Sequence, residues 1–248
     1  MQDVFFSDWG RMDYKTAWDR QEALLKENVE IKAALRNRGD LAENREREPG
    51  GQESVAIDLQ TINHFIFVEH LPVYTLGKSG NINNVLISDE ERLARGIDFF
   101  YTNRGGDITF HGPQQLVAYP IFDLEKFYTD IGRYLRNLEE VIILTMAEYG
   151  LKGERSAGET GVWLSPGITG EERKICAIGV RCSRWITMHG LAFNVNTDLS
   201  YFSNIVPCGI QNKQVTSLEK ELGYPVDLAI VKEKVKRNFE KVFALQLV

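Results

Sequence analysis

Cys208 is the residue of this chain whose sequence surroundings best suit a nucleophilic thiol. It lies between Pro207 and Gly209 in the irregular segment FSNIVPCGI, and loops of this kind often present functional groups on a rigid scaffold. The other two cysteines, Cys176 and Cys182, are an even number of positions apart in the run KICAIGVRC, so their side chains are predicted to share one apolar face of a strand. A lone cysteine is more often a buried structural residue than a nucleophile, and that alternative stays open for Cys208.

A nucleophilic thiol also needs a cation or a base beside it, because a free thiol with a pKa near about 8.5 is scarcely ionised at neutral pH. The candidates are Lys174, Arg181, His111 and His189. Lys174 begins the strand-like run KICAIG, where a loop would meet the edge of a sheet; an ordinary solvated lysine is the alternative. His189 lies within an apolar strand-like run, where a hydrogen-bonded core histidine is at least as common as a catalytic one.

The segment RGGDITFHGPQQ, residues 104–115, has the composition of a binding loop. Gly105 and Gly106 permit positive φ and a close approach of the backbone to a ligand, and Thr109 and His111 offer side-chain hydrogen bonds. A plain β-turn beside an arginine is the alternative. Because no Gly-Lys-Ser/Thr follows the glycines, this is not a nucleotide-binding P-loop.

Apolar residues at helical spacing predict three longer helices, the first of which is expected to cover a sheet. Apolar residues at helical spacing predict a first helix from Asp13 to about Arg36. A stronger pattern predicts a central helix over residues 131–149, and a third predicts a closing helix over residues 228–242. A capping-box pattern that begins at Thr216 predicts a short additional helix before the closing one.

The strands are predicted from β-rich runs separated by turn signals, namely INHFIFVEH, PVYTLG, DFFYTN, QLVAYPIF, TGVWLS, KICAIGVRC and ITMHGLAFNV. The last two runs are so close in sequence that they predict a hairpin. Residues 37–54, NRGDLAENREREPGGQES, are dense in charge and predict a mobile loop. The order of elements predicts an α/β (α+β) fold, a mixed sheet with helices packed on it, in one domain over residues 1–248.

Composition and charge narrow the possible functions. A chain of 248 residues with 43% hydrophobic and 26% charged residues is typical of a soluble globular protein. The net charge of -6 has the wrong sign for a general nucleic-acid binder. No apolar run approaches the roughly 18 residues that a membrane span needs, and the N-terminus lacks the order of a secretory signal. We therefore expect a cytoplasmic protein with free thiols and no membrane or nucleic-acid partner.

Four separated motifs, in this order, resemble the lipoyl(octanoyl) transferase family, LipB: RGGDITFHGPQQLVAYPIFDL, KICAIGVR, ITMHGLAFNVNTDL and IVPCGI. The similarity runs from about Asp13 to the closing helix. The family's nucleophile is the cysteine of its PCG motif, and its partner is the lysine that begins KI-x-AIG. The resemblance therefore implies Cys208 and Lys174 as the catalytic pair. Cys176 stands where the family accepts a small residue.

The resemblance implies a two-step acyl transfer. The Cys208 thiolate attacks the octanoyl thioester of acyl carrier protein, and the acyl-enzyme then passes its octanoyl group to a lysine of a lipoyl domain. The acceptors would be the E2 subunits of 2-oxoacid dehydrogenases and the glycine cleavage H protein. Lys174 would stabilise the thiolate as an ammonium and, once neutral, take a proton from the attacking amine. No ATP, metal or other cofactor is implied.

The resemblance also implies a substrate pocket and a fold. The pocket would be lined by Arg104, Gly105, Gly106, Asp107, Ile108, Thr109, Phe110, His111, Ala177, Ile178, Gly179, Gly190, Leu191 and Ala192. Backbone N–H groups near Gly209, or His111, would hold the oxyanion of the tetrahedral intermediate. The fold would be the one shared by lipoate and biotin protein ligases, with residues 37–54 as an insertion.

Two alternatives belong to other functional classes. An ATP-dependent lipoate or biotin protein ligase would share the fold but activate a free acid as an adenylate, without using Cys208. A catalytically silent acyl-binding or lipoyl-domain-binding module would carry Cys208 and Lys174 by accident.

Overall fold

The computed structural model of the chain describes residues 2–45, 59–206 and 214–248. The strands are β1 (Gln2–Met12), β2 (His64–His70), β3 (Val73–Leu76), β4 (Asp98–Tyr101), β5 (Ile108–His111), β6 (Gln115–Ile121), β7 (Val162–Leu164), β8 (Arg173–Ser183), β9 (Ile186–Asn194), β10 (Gln214–Val215) and β11 (Leu245–Leu247). The helices are α1 (Tyr14–Arg45), α2 (Asp89–Ala94), α3 (Ile131–Ala147), α4 (Leu218–Leu222) and α5 (Leu228–Phe243).

Eight of these strands form one mixed sheet in the order β10-β8-β9-β6-β2-β1-β11, with β7 paired to β8. The central pairs β8–β9, β9–β6 and β6–β2 are antiparallel, whereas β1 pairs in parallel with both β2 and β11. A smaller sheet has the order β4-β3-β5. This arrangement confirms the predicted fold class.

The large sheet is covered on both faces, as the alternation of side chains along β2 shows. Phe65 and Phe67 belong to the core under α3 and α5, and the ring of Phe65 stacks on Phe239 of α5 with 3.8 Å between ring centroids. Ile66 and Val68 point to the opposite face, where Ala17, Leu25 and other residues of α1 cover them. Strands buried on both faces read as continuous apolar runs, which explains the sequence of β2.

The predicted hairpin is confirmed. Strands β8 and β9 pair from Cys176 with Phe193 to Ser183 with Ile186. The turn residues Arg184 and Trp185 both have positive φ, 52° and 66°, as a two-residue turn of the primed type requires.

Two predictions about element ends were wrong. Helix α1 does not end near Arg36 but continues to Arg45, past Gly39, and the stronger stop signal Pro-Gly-Gly comes only at residues 49–51. The predicted loop at 37–54 therefore begins inside α1, and its remainder, residues 46–54, lies outside the described residues. The cap of α4 is Ser217 rather than Thr216, and its side chain accepts a hydrogen bond from Lys220 N.

Strand β1 was missed, because its burial pattern does not alternate and only Val4 is fully buried. Its partners β2 and β11 are remote in sequence, so no local pattern predicts the pairing.

Among the described residues, no helix is long and apolar enough to span a membrane.

Candidate active site

A cavity of about 570 Å³ lies over the β8–β9 hairpin, a size typical of small-molecule sites. The structure brings nearly all the predicted pocket residues to its wall: Arg104, Gly105, Gly106, Asp107, Ile108, Thr109, His111, Ala177, Ile178, Gly179, Gly190, Leu191 and Ala192, together with Lys174. Phe110 is placed elsewhere, since its buried ring stacks on Tyr201 with 4.4 Å between centroids.

Glycines allow the loop at residues 104–107 to lie directly on this hairpin. Gly105 donates from its backbone N–H to the carbonyl of Val180 at 2.9 Å. A Cβ on Gly179 would lie only 2.8 Å from the carbonyl oxygen of Gly105, closer than real Cβ contacts. Gly190, paired with Gly179 across the hairpin, is equally restricted, because a Cβ there would overlap the carbonyl of Ala118. The glycine of the AIG motif thus lets the loop lie directly on β8, and the glycine of the HGLA motif lets β9 lie close to Ala118 of β6.

Arg104 anchors the loop to the small sheet. Its buried guanidinium donates to the backbone carbonyl and to the hydroxyl of Thr75 on β3, the latter at 2.8 Å, and to the carbonyl of Gly105 at 3.0 Å. Asp107 accepts from the backbone N–H of Ile108 at 2.7 Å. These contacts fix the backbone of the predicted binding loop.

Lys174 lies on β8 between two neighbouring strands, paired with Trp163 of β7 and Val215 of β10. Its side chain is only 9% exposed and lines the cavity, so it is not an ordinary solvated lysine. Its Nζ lies 4.5 Å from the centroid of the Trp163 ring, within the range of a cation–π interaction.

The two described cysteines are poor nucleophiles. Cys176 is fully buried in the core, as predicted, and burial raises the pKa of its thiol far above the usual value. Cys182 is half-buried, and burial raises the pKa of its thiol as well. Arg181, another candidate cation, forms an ion pair with Glu22 at 2.8 Å.

Cys208 lies outside the described residues. The described chain resumes at Gln214, and the residues on either side of this gap that line the cavity are Phe202 and Val215. Phe202 comes four residues before Val206, the last described residue before the gap, and Val215 directly follows Gln214.

The histidines near the cavity are neutral at physiological pH. Burial lowers the pKa of His189 to about 3, and its Nε2 lies 2.7 Å from Asn103 Oδ1. Burial holds the pKa of His111 well below its usual value, and its Nδ1 lies 2.9 Å from Gln115 Oε1. His189 thus matches the alternative of a hydrogen-bonded core histidine, and both rings are suited to hydrogen bonding rather than to general-base catalysis.

Comparison with known proteins decides the family. The model of the lipoyl protein ligase A/B catalytic domain matches residues 13–240. An octanoyltransferase of Christiangramia forsetii is 52% identical over 99% of this chain and 98% of its own length. One of Flavobacterium psychrophilum is 54% identical over 97% and 96%. The chain belongs to the octanoyltransferase family. It is an acyltransferase of the type that acts without ATP.

Solved structures of lipoate protein ligases have a similar fold. A bi-partite lipoate protein ligase from Thermoplasma acidophilum has a TM-score of 0.66 at 14% identity, covering 100% of this chain and 86% of its own. A lipoate-protein ligase A bound with ATP has a TM-score of 0.65 at 14% identity, with 100% and 88% covered. At this identity the likeness shows the fold alone, which confirms the predicted fold.

Several residues of this octanoyltransferase site were not predicted. Tyr14, Gln115, Tyr119 and Asn194 all line the cavity. Gln115 is the last residue of the predicted binding loop but was not among the predicted pocket residues. Tyr14 was assigned only to the apolar stripe of a helix, and Tyr119 and Asn194 lie in runs that were predicted only as strands. Their convergence depends on the register of β6 with β9, in which Gln115 pairs with Asn194, and that register is not visible locally.

Glu139 of α3 was also missed, because a glutamate in a helix is normally solvated. It is fully buried, and its carboxylate accepts from the backbone N–H of Gly161 at 3.0 Å and pairs with Arg136 and Arg155 at 2.9 and 3.0 Å. Gly161 immediately precedes β7, so Glu139 fixes the backbone that leads to Trp163.

Proposed function

We propose that the protein transfers an octanoyl group from octanoyl-acyl carrier protein to a lysine of lipoyl domains through a thioester on Cys208. Family membership supports octanoyl transfer in protein lipoylation. The observation that carries the finer proposal is Lys174, a lysine shielded from solvent in the wall of a cavity built from the predicted motifs.

In the first step the Cys208 thiolate attacks the thioester carbonyl. The new C–S bond forms as the bond to the carrier's sulfur breaks, and the carrier would leave as a thiol with a proton from the Lys174 ammonium, which becomes neutral. The Lys174 ammonium would favour the thiolate, because an opposite charge in a shielded site stabilises the ionised form.

In the second step the acceptor lysine attacks the acyl-enzyme. An amide forms, the thiolate of Cys208 leaves, and the nitrogen loses a proton, which neutral Lys174 would accept. Exchange of one thioester for another is nearly balanced and conversion of a thioester to an amide is downhill, so no ATP is required.

The cavity suits the acyl chain as well as the thioester. Its wall includes Ile108, Val117, Ile178 and Leu191. Burial of the seven carbons beyond the carbonyl, at about 0.8 kcal/mol each, would contribute about 5–6 kcal/mol to binding.

We place the reaction in the cytoplasm, where free thiols persist, with E2 subunits of 2-oxoacid dehydrogenases and the glycine cleavage H protein as acceptors. The archaeal ligase of similar fold is described together with its E2 lipoyl domain, which supports an acceptor of this class.

The experiment is intact-protein mass spectrometry after mixing with octanoyl-acyl carrier protein in the absence of ATP. One octanoyl group is expected on the wild type and on Cys182→Ala, the matched control, and none on Cys208→Ala. An adduct that survives Cys208→Ala, or that forms only with octanoate and ATP, would refute the thioester route.

A further inference from the structure

We infer that Trp163 is a positioning residue, whose ring holds the Lys174 ammonium in the orientation that acyl transfer requires. The inference rests on the proposed role of Lys174. It assigns a function to a tryptophan that would otherwise count as part of the core.

An irregularity in strand pairing brings the two side chains together. Val162 pairs with Cys176, but the next residue, Trp163, pairs with Lys174 instead of Ile175. The register therefore shifts by one residue at Ile175, which makes this a β-bulge. Bulges re-aim side chains and are over-represented beside active sites. In regular antiparallel pairing, Trp163 would be opposite Ile175, and Lys174 would be opposite Leu164.

The lysine side chain follows β7 from its beginning to the tryptophan. A Cβ on Gly161 would lie 3.5 Å from Cε and 3.6 Å from Cδ of Lys174, so the aliphatic stem passes over this glycine. The stem ends with Nζ 4.5 Å from the centroid of the Trp163 ring. Since the residue is only 9% exposed, the ring face offsets part of the hydration that the ammonium loses.

Trp163 is itself held rigidly. The residue is 2% exposed. Its backbone N–H donates to the carbonyl of Glu154 at 2.9 Å, and its carbonyl accepts from the N–H of Glu154 at 2.8 Å. Glu139 fixes Gly161, two residues earlier. A rigid ring limits the rotamers of a side chain with four rotatable bonds, so the ammonium is held in one orientation in the cavity wall.

The test measures single-turnover acylation of Cys208 by octanoyl-acyl carrier protein. Trp163→Leu removes the ring and should slow acylation about tenfold, which corresponds to about 1.4 kcal/mol. Trp163→Phe keeps a ring and should stay within about threefold of the wild type. Trp185→Leu, at the far end of the β8–β9 hairpin, is the control and should not change the rate.

A double-mutant cycle separates positioning from packing. If the ring acts through the ammonium, Trp163→Leu should change the residual rate of Lys174→Met by less than about twofold. An equal slowing with and without Lys174 would overturn the inference in favour of a packing role. Wild-type speed in Trp163→Leu would overturn it too while leaving the Cys208 mechanism intact, whereas no adduct on the wild type would overturn both.

A second measurement is made on the wild type and needs a variant only to assign one signal. In the wild type labelled with ¹³C-lysine, the Hε protons of Lys174, assigned by their loss in Lys174→Arg, should be shifted upfield by the ring. Random-coil shifts for these protons would contradict the geometry.

Discussion

At the scale of single residues, the two described thiols and Lys174 lie in different surroundings. Cys176 is fully buried and Cys182 half-buried, and the pKa of each thiol is raised by burial. Lys174 is shielded in the cavity wall, its Nζ over an indole ring. The chemistry is therefore expected at the third thiol, Cys208, with Lys174 as its partner.

Alkylation should distinguish the thiols. At pH 7 iodoacetamide is expected to label Cys208 first, Cys182 more slowly and Cys176 not at all in the folded protein, because only a thiolate reacts and burial disfavours that form. Peptide mapping by mass spectrometry reads the order. Rapid labelling of Cys176 would show that its thiol is accessible to solvent, which would contradict its burial in the core.

Loss of Lys174 should make acylation depend on pH. A thiol without a neighbouring cation ionises near about 8.5, so the rate of Lys174→Met should rise about tenfold per pH unit from pH 6 towards 8, while that of the wild type changes less. Single-turnover rates across this range provide the test. Parallel profiles for both proteins would remove Lys174 from the first step.

At the scale of elements, the β8–β9 hairpin and the loop at residues 104–107 behave as one unit. Gly179 permits their contact, since a Cβ there would lie 2.8 Å from the carbonyl oxygen of Gly105. A Cβ on Gly105 itself would meet its neighbour, the carbonyl oxygen of Val180, at an ordinary 3.5 Å. The two glycines therefore differ in how much a methyl group disturbs the site.

Gly179→Ala is expected to displace the loop, lowering kcat/KM about 10- to 100-fold and the free energy of unfolding by about 1–3 kcal/mol. Gly105→Ala is the matched control and should keep the stability close to that of the wild type. Urea unfolding and steady-state kinetics measure the two effects. Equal behaviour of both variants would show that close approach at Gly179 does not matter.

The elements that could be predicted from sequence are those with strong local patterns. The core strands, the β8–β9 hairpin and α3 have clear periodicity and turn signals, so their existence was foreseen. β1 has little alternation, and its partners lie at remote positions. Trp163 and Glu139 could not be assigned to the site either, because one depends on a register shift and the other on a buried contact with Gly161.

At the scale of the whole molecule, the sheet is covered on both faces and closes a cavity against α1 and the loop at residues 104–107. Polar side chains are buried where these layers meet, and the histidines among them are neutral. We expect both a selectivity for acyl chain length and a pH dependence of stability to follow from this burial.

The logarithm of the rate should fall in proportion to the number of carbons removed from the acyl chain. A hexanoyl donor lacks two methylenes, each contributing about 0.8 kcal/mol, so its kcat/KM should be about fifteenfold lower than that of the octanoyl donor. Steady-state rates with carrier proteins of defined chain length check this. Equal values for four, six and eight carbons would show that the chain does not bind in the cavity.

Stability should fall in mild acid. Burial lowers the pKa of His70 to about 4 and that of His189 to about 3, whereas unfolded histidine binds a proton near about 6.5. Stability is therefore full above about pH 6.5 and decreases as the pH falls towards 4, by up to about 1.4 kcal/mol per pH unit for each histidine. Urea unfolding at several pH values measures the slope. In His189→Gln the slope should be smaller, and an unchanged slope would contradict the assignment.

The most direct test of the central claim is a chase of isolated acyl-enzyme. Protein carrying one octanoyl group on Cys208, freed of donor and ATP, is mixed with a lipoyl domain, and both masses are followed in time. The octanoyl group is predicted to leave the enzyme and to appear on the acceptor lysine at a rate no slower than overall turnover. An acyl-enzyme that persists while turnover continues, or that releases only octanoate, would contradict it.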